Sequence, residues 1–200
     1  MNKELSKAER TRQFIIETTA GIFNTKGYAG TSMSDLTEAT GLTKGSIYGN
    51  FENKEEVALA AFDHNLSKLT KAIWQKIQQE NTYYDKLMVY AKFYHSFMRT
   101  EYTPGGCPIL NTAIEADDTN VLLKDKAAGA VTKWKNGIEN LIQAGIDAGE
   151  FKPGIDRTIS ALSIIALIEG GVMISRVTNS PANLDKVLVT VESLISQMKR

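Results

Sequence analysis

Apolar residues recur along this chain at helical spacing, and alternation of the strand type is absent. From Glu9 to Lys26 the positions Ile15, Ile16, Ile22 and Phe23, with Thr19 among them, share one face and predict an amphipathic helix that Gly27 ends. Shorter segments follow. Ser32 and Asp35 stand at capping-box spacing, so a helix is predicted to begin at Met33 and to end at Gly41, where glycine supplies a positive φ. Leu42 is an apolar plug. Thr43 is a fresh N-cap for a second short helix, Lys44 to Asn50, whose inward residues are Ile47 and, just beyond it, Phe51. The first helix is expected to pack on Leu36, Ala39, Leu42, Ile47 and Phe51. Asn53 and Glu56 then cap a long helix running from Lys54 to about Gln79, with Val57, Ala61, Phe62, Leu66, Leu69, Ile73 and Ile77 along its apolar side.

The second half repeats the helical period with larger residues. Tyr83, Leu87, Tyr90, Tyr94 and Phe97 follow one another at steps of four and three, flanked by Phe93 and Met98, and predict a helix to Arg99. The run from Tyr102 to Pro108, with Pro104, Gly105 and Gly106, forces a loop. Helices are predicted from Ile109 to Asp117, from Asn120 to Gly149, from Asp156 to Thr178 and from Pro181 onward. The fold class is therefore all-α, with an N-terminal three-helix unit over residues 1–53 and a larger helical domain over 54–200.

The stretch from Thr31 to Lys54 has the dimensions of a helix-turn-helix. Its second short helix carries two glycines, each costing about 1 kcal/mol relative to alanine. That cost makes sense where a backbone must approach another surface closely. Around the glycines stand hydroxyls, an amide and a lysine, the groups that contact base edges and phosphates. A solvated helical hairpin is the alternative on pattern alone. The segments GYAGTSMSDLTEATG and GLTKGSIYGNFENKEEV closely resemble the DNA-binding domain of TetR/AcrR-family repressors, over about the first sixty residues. The resemblance implies that Thr43, Lys44, Gly45, Ser46 and Tyr48 lie on the recognition helix, with Tyr48 and Lys54 near phosphates. Ser32 and Asn50 complete the candidate DNA-contacting set. Gly49 and Asn50 depart from the family's usual residues, which bears on phosphate clamping there.

The last two predicted helices are apolar beyond what one face needs. Leu162, Ile165, Glu169, Met173, Leu184, Val187, Leu188, Val191, Leu194 and Ile195 are the candidate interface of a two-fold four-helix contact between copies, as the resemblance also implies. Gly170 and Gly171 permit close helix approach. The aromatic stripe reads either as plain core or as a cavity wall. On the second reading Phe93, Tyr94, Phe97, Cys107, Asn111, Glu115, Trp134 and Met173 are the candidate ligand-binding residues, and the ligand is a small apolar or aromatic effector. Asn111 and Glu115, one turn apart, suit a polar or cationic group of that ligand. Cys107 beside two glycines at a helix start is a candidate thiol sensor, because some relatives of this family sense electrophiles through one cysteine in this region.

Charge and composition narrow the picture. The net charge is formally zero, and residues 1–60 hold seven Lys/Arg against eight Asp/Glu. Duplex binding must then come from a few placed cations, among Lys3, Lys7, Arg10, Arg12, Lys44 and Lys54, with a shallow salt dependence. One cysteine and isolated His64 and His95 give no metal-ligand spacing, and no cofactor motif is present. No catalytic constellation is found. No signal peptide is read at the start, and Ser160, Ser163 and Glu169 interrupt the most apolar run, so no membrane span is expected and the chain reads as cytoplasmic. The function expected is a dimeric, ligand-released repressor of a pseudo-palindromic operator. The rivals are a helical small-molecule carrier or enzyme, and an activator without an effector.

Overall fold

The computed structural model of the chain describes residues 5–100 and 104–200. Among them are helices α1 (Lys7–Gly30), α2 (Met33–Thr40), α3 (Lys44–Tyr48), α4 (Lys54–Ile77), α5 (Tyr83–Phe97), α6 (Pro108–Ala116), α7 (Val121–Asp147), α8 (Arg157–Val177) and α9 (Pro181–Gln197). No strand occurs among the described residues beyond one isolated bridge between Phe151 and Lys199. The all-helical class is as expected. The chain divides into two compact units, one holding the described residues of 1–68 and 103–127, the other those of 69–102 and 128–200. That grouping differs from a break after residue 53: the first part of α4, all of α6 and the start of α7 join the N-terminal helices.

In the first unit, α1 starts earlier than the apolar pattern suggests. Ser6 and Glu9 form a reciprocal capping box, with the Ser6 amide donating to Glu9 at 2.7 Å. Lys3 and Tyr102 lie outside the described residues. Gly27 does interrupt α1, at φ 75°, but the helix resumes for a last turn to Gly30. The Ser32 capping box, the left-handed Gly41 at φ 67° and the Thr43 cap stand where the spacing puts them. The core of this unit gathers Ile15, Phe23, Leu36, Ile47, Phe51 and Val57, each worth about 1.5–3 kcal/mol when fully buried. Ala39 is exposed instead. Thr40 takes the inward position, its hydroxyl donating to the Leu36 carbonyl at 2.6 Å.

In the second unit, α9 packs on α8 and α5. Leu184, Leu188, Val191 and Ile195 of α9 are buried there, as are Ile164, Ile165, Ile168 and Val172 of α8. This corrects the expected dimer surface. Ile165, Leu184, Leu188, Val191 and Ile195 are consumed inside the chain, because the stripe of α9 covers the near side of α8. Glu169, Val187 and Leu194 are half-buried, while Leu162 and Met173 are exposed. The α5–α9 contact also carries charge. His95 lies 2.8 Å from Asp185 and 3.2 Å from Glu192, and Arg99 pairs with Asp185. The hydrogen bond from Arg99, then that from His95, holds the Asp185 carboxyl at about 2.

Helix α8 is, by length and composition, apolar enough to cross a membrane, with a mean hydropathy of 1.8 over its most apolar window. Ser160, Ser163 and Glu169 do not interrupt it, contrary to expectation, since two weakly polar hydroxyls and one acid are outweighed by isoleucine and leucine. Its apolar character also serves burial, through the side that packs on α9.

Candidate nucleic-acid interface

Helix α3 has five residues, too few to stand without tertiary support. Two things hold it. The Thr43 hydroxyl accepts the Ser46 amide at 3.1 Å, and Ile47 is wholly buried in the unit's core. With Ile47 pinned inward, Lys44, Gly45 and Tyr48 face solvent, and Ser46 is half-buried. The Lys44 ammonium lies 5.7 Å from the Tyr48 ring centroid, so cation and ring share one patch. A Cβ built on Gly45 would meet only the Thr43 hydroxyl, at 4.0 Å, so packing does not demand glycine there. Thr43 and Ser32 are exposed as the N-caps of α3 and α2. Ser32 is tied to Asp35, whose carboxyl is held below the ordinary range first by Lys26 and then by Ser32. Asn50 is half-buried and donates to the Ser46 carbonyl at 2.9 Å, closing the helix.

Two cations expected at the duplex are turned inward instead. The Lys54 ammonium donates to the carbonyls of Tyr28 at 2.7 Å and Thr31 at 2.9 Å, and sits 4.2 Å from the Tyr28 ring centroid. The end of α1 leaves carbonyls without intrahelical partners, and a lysine satisfies them. In this conformation Lys54 is a brace, not a phosphate contact. Arg12 likewise donates to the Asn50 carbonyl at 2.5 Å and to Glu56 at 2.6 Å, and lies over the Phe51 ring. It ties α1 to the segment that leaves α3. The sequence marked Arg12 as a possible DNA cation, but only the fold shows the carbonyl it serves.

The candidate ligand residues separate into two sets. Phe93, Tyr94, Phe97 and Trp134 lie together in the second unit. Tyr94 and Trp134 are stacked at 6.0 Å between centroids, Tyr90 joins at 6.3 Å from Trp134, and Tyr94 lies 5.1 Å from Phe97. Burial alone pushes the Tyr90 hydroxyl up to about 12, so it stays a neutral phenol. Met173 is on the exposed side of α8.

Cys107, Asn111 and Glu115 belong to the first unit, and there they serve the fold. Asn111 donates to the carbonyls of Asn24 at 3.0 Å and Gly105 at 2.9 Å. Asn24 in turn donates to Pro104 and Gly106. Glu115 accepts the amides of Tyr28 and Ala29, each at 2.8 Å, just past the Gly27 kink. Both carboxylate oxygens are thereby occupied, although Glu115 also lines a shallow cleft with Phe23, Tyr28, Phe62, Asn65 and Thr112. Cys107 is fully buried as the N-cap of α6. Among the described residues no group of three or more His, Cys, Asp or Glu could hold a metal ion.

Comparison with known proteins agrees with the helix-turn-helix. The family described as bacterial regulatory proteins, tetR family, matches residues 15–61, and the tetracyclin repressor-like C-terminal domain matches residues 84–191. The crystal structure of a TetR-family transcriptional regulator from Cytophaga hutchinsonii is 52% identical, with a TM-score of 0.94 over 98% of each chain. A TetR transcriptional regulator from Chloroflexus aurantiacus is 38% identical, with a TM-score of 0.93 over 98% of this chain and 99% of its own. The HTH-type transcriptional repressor DhaR of Mycobacterium sp. (strain GP1) is 22% identical over 90% of this chain and 89% of its own length. With an α3 presented outward on a buried Ile47 and a C-terminal match that spans more than half of the sequence, the chain belongs to the TetR family of bacterial transcriptional regulators.

Proposed function

We propose that the chain is a homodimeric repressor that sets α3 of each copy into successive major grooves of a pseudo-palindromic operator and leaves it when a small apolar or aromatic molecule binds the second unit. The observation that carries the reading is the polarity of α3: Ile47 is fully buried while Lys44, Gly45 and Tyr48 stand exposed on the other side. The DhaR relative is a transcriptional repressor, which points the same way. For assembly, α8 offers apolar residues along one side: Ile159, Leu162, Ala166, Met173 and Val177, at steps of three, four, seven and four, are all exposed. For the effector, the ring cluster of Tyr90, Tyr94, Phe97 and Trp134 supplies an apolar wall with hydroxyls. Helix α4 runs from the first unit into the second, so one element is common to both. Linkage then requires that an effector which weakens DNA binding is itself bound less tightly by the DNA-bound form.

Selection of a preferred duplex from a random pool, followed by titration of the Lys44→Ala protein, tests the interface. The substitution removes one contact in each half-site and should weaken operator binding about tenfold in all, roughly threefold per contact, with the dimer intact by sedimentation. Unchanged affinity would remove α3 as the contacting helix. A duplex pool that yields no preferred sequence would favour the carrier or enzyme reading.

A further inference from the structure

The ring cluster contains a polar atom that the protein's own packing does not use. The indole Nε1 of Trp134 is buried and has no hydrogen-bond partner among the described residues. The residue as a whole is only half-buried, although its Nε1 is enclosed. An enclosed donor without an acceptor is costly and rare, and such groups in native proteins call for an explanation. Three neighbours supply one. Tyr94 stacks parallel to the indole, within 10°. Tyr90 brings a second, tilted ring. One turn along α7 from Trp134, Gly137 leaves room: the only atom within 4 Å of a Cβ built there, other than its own helix and chain neighbours, is the Tyr90 hydroxyl oxygen, at 3.8 Å. A flat apolar wall, space for a methyl group at Gly137 and two polar hydrogens thus lie in one small region of the second unit.

We infer that the effector is a planar unsaturated molecule bearing a carbonyl-type hydrogen-bond acceptor, and that the Trp134 indole N–H is the donor that recognises it. This rests on the proposed aromatic effector region and goes further by naming the polar group the effector must carry. Hydrocarbon alone satisfies the wall but leaves the indole N–H unpaired. An acceptor relieves it, so the discrimination falls between molecules of equal shape that differ in one oxygen.

The probes are a near-isosteric pair, 2-acetylnaphthalene and 2-ethylnaphthalene, titrated into the full-length protein. Indole ¹⁵N–¹H cross-peaks are the readout, with Trp74→Phe assigning the two tryptophans; Trp74 is exposed and outside the ring cluster. The ketone should bind about tenfold more tightly than the hydrocarbon and move the Trp134 indole proton downfield. In Trp134→Phe both probes should bind more weakly, since part of the wall is lost, and the ratio should fall to about one. Equal affinities in the unsubstituted protein, or a ketone preference that survives Trp134→Phe, would overturn the inference while leaving the aromatic region standing. Binding of neither probe would remove the aromatic region and this inference with it.

Discussion

Glu115 shows how one residue's role changes once its surroundings are known. Its two oxygens take the amides of Tyr28 and Ala29, and a Cβ on Gly27 would lie 2.5 Å from one of them. Gly27 also stands at φ 75°, where a side chain is strained. Gly27→Ala should therefore cost about 1–3 kcal/mol, from backbone strain and from expulsion of the carboxylate. Glu115→Ala should cost about 2 kcal/mol, the order of a lost charge-assisted hydrogen bond. Because the two changes break the same contact, the double variant should lose less than the sum; urea unfolding of the four proteins measures that difference, and strict additivity would contradict the shared contact. The sequence placed Asn111 and Glu115 correctly on one face of one helix. Their partners were illegible, because backbone amides and carbonyls some 86–87 residues away carry no identity in the alphabet of side chains. The partners of Lys54 were illegible for the same reason: without DNA its acceptors are the Tyr28 and Thr31 carbonyls.

Whole elements were easier to read than the surfaces they meet. Caps at Ser32 and Thr43 and the turn at Gly41 are local chemistry, and the helices begin or end where those residues stand. Which side of α8 faces α9 is not local. Both sides are rich in isoleucine and leucine, so periodicity cannot say which neighbour each side meets. The adjacent glycines separate the two faces. A Cβ on Gly171 would meet Leu184 at 2.8 Å and Val187 at 3.3 Å, whereas one on Gly170 would meet nothing within 4 Å. Gly171→Ala should push α9 away and cost about 1–3 kcal/mol by overpacking. Gly170→Ala should leave the fold unharmed or stabilise it by up to about 1 kcal/mol through helix propensity. Thermal unfolding of the two variants is the comparison, and a similar loss for both would mean that Gly170 does not face open space.

At the scale of the whole molecule the question is how a protein of zero net charge holds a duplex. Arg12 and Lys54 brace the fold, and Lys44 is the cation that α3 itself displays. Few phosphates can then be neutralised per copy, and counterion release is correspondingly small. Affinity must come from joining two such units, since a second half-site met at high effective concentration multiplies the first. The joining surface is therefore the most sensitive place in the molecule, more so than any single base contact. Leu162 tests this cleanly: it is 47% exposed, on the apolar stripe of α8, so a charge there is tolerated by the isolated fold but not by an apolar contact between copies. Leu162→Glu should leave the helical circular dichroism signal unchanged, shift sedimentation from dimer to monomer, and lower operator affinity about a hundredfold or more, well beyond the tenfold loss for Lys44→Ala. The unsubstituted dimer should lose affinity with salt at a log–log slope of magnitude below about 5, consistent with few phosphate contacts. A Leu162→Glu protein that remains dimeric would place the contact elsewhere on the second unit, and a steep slope would mean that Arg12 or Lys54 leaves its brace for the duplex on binding.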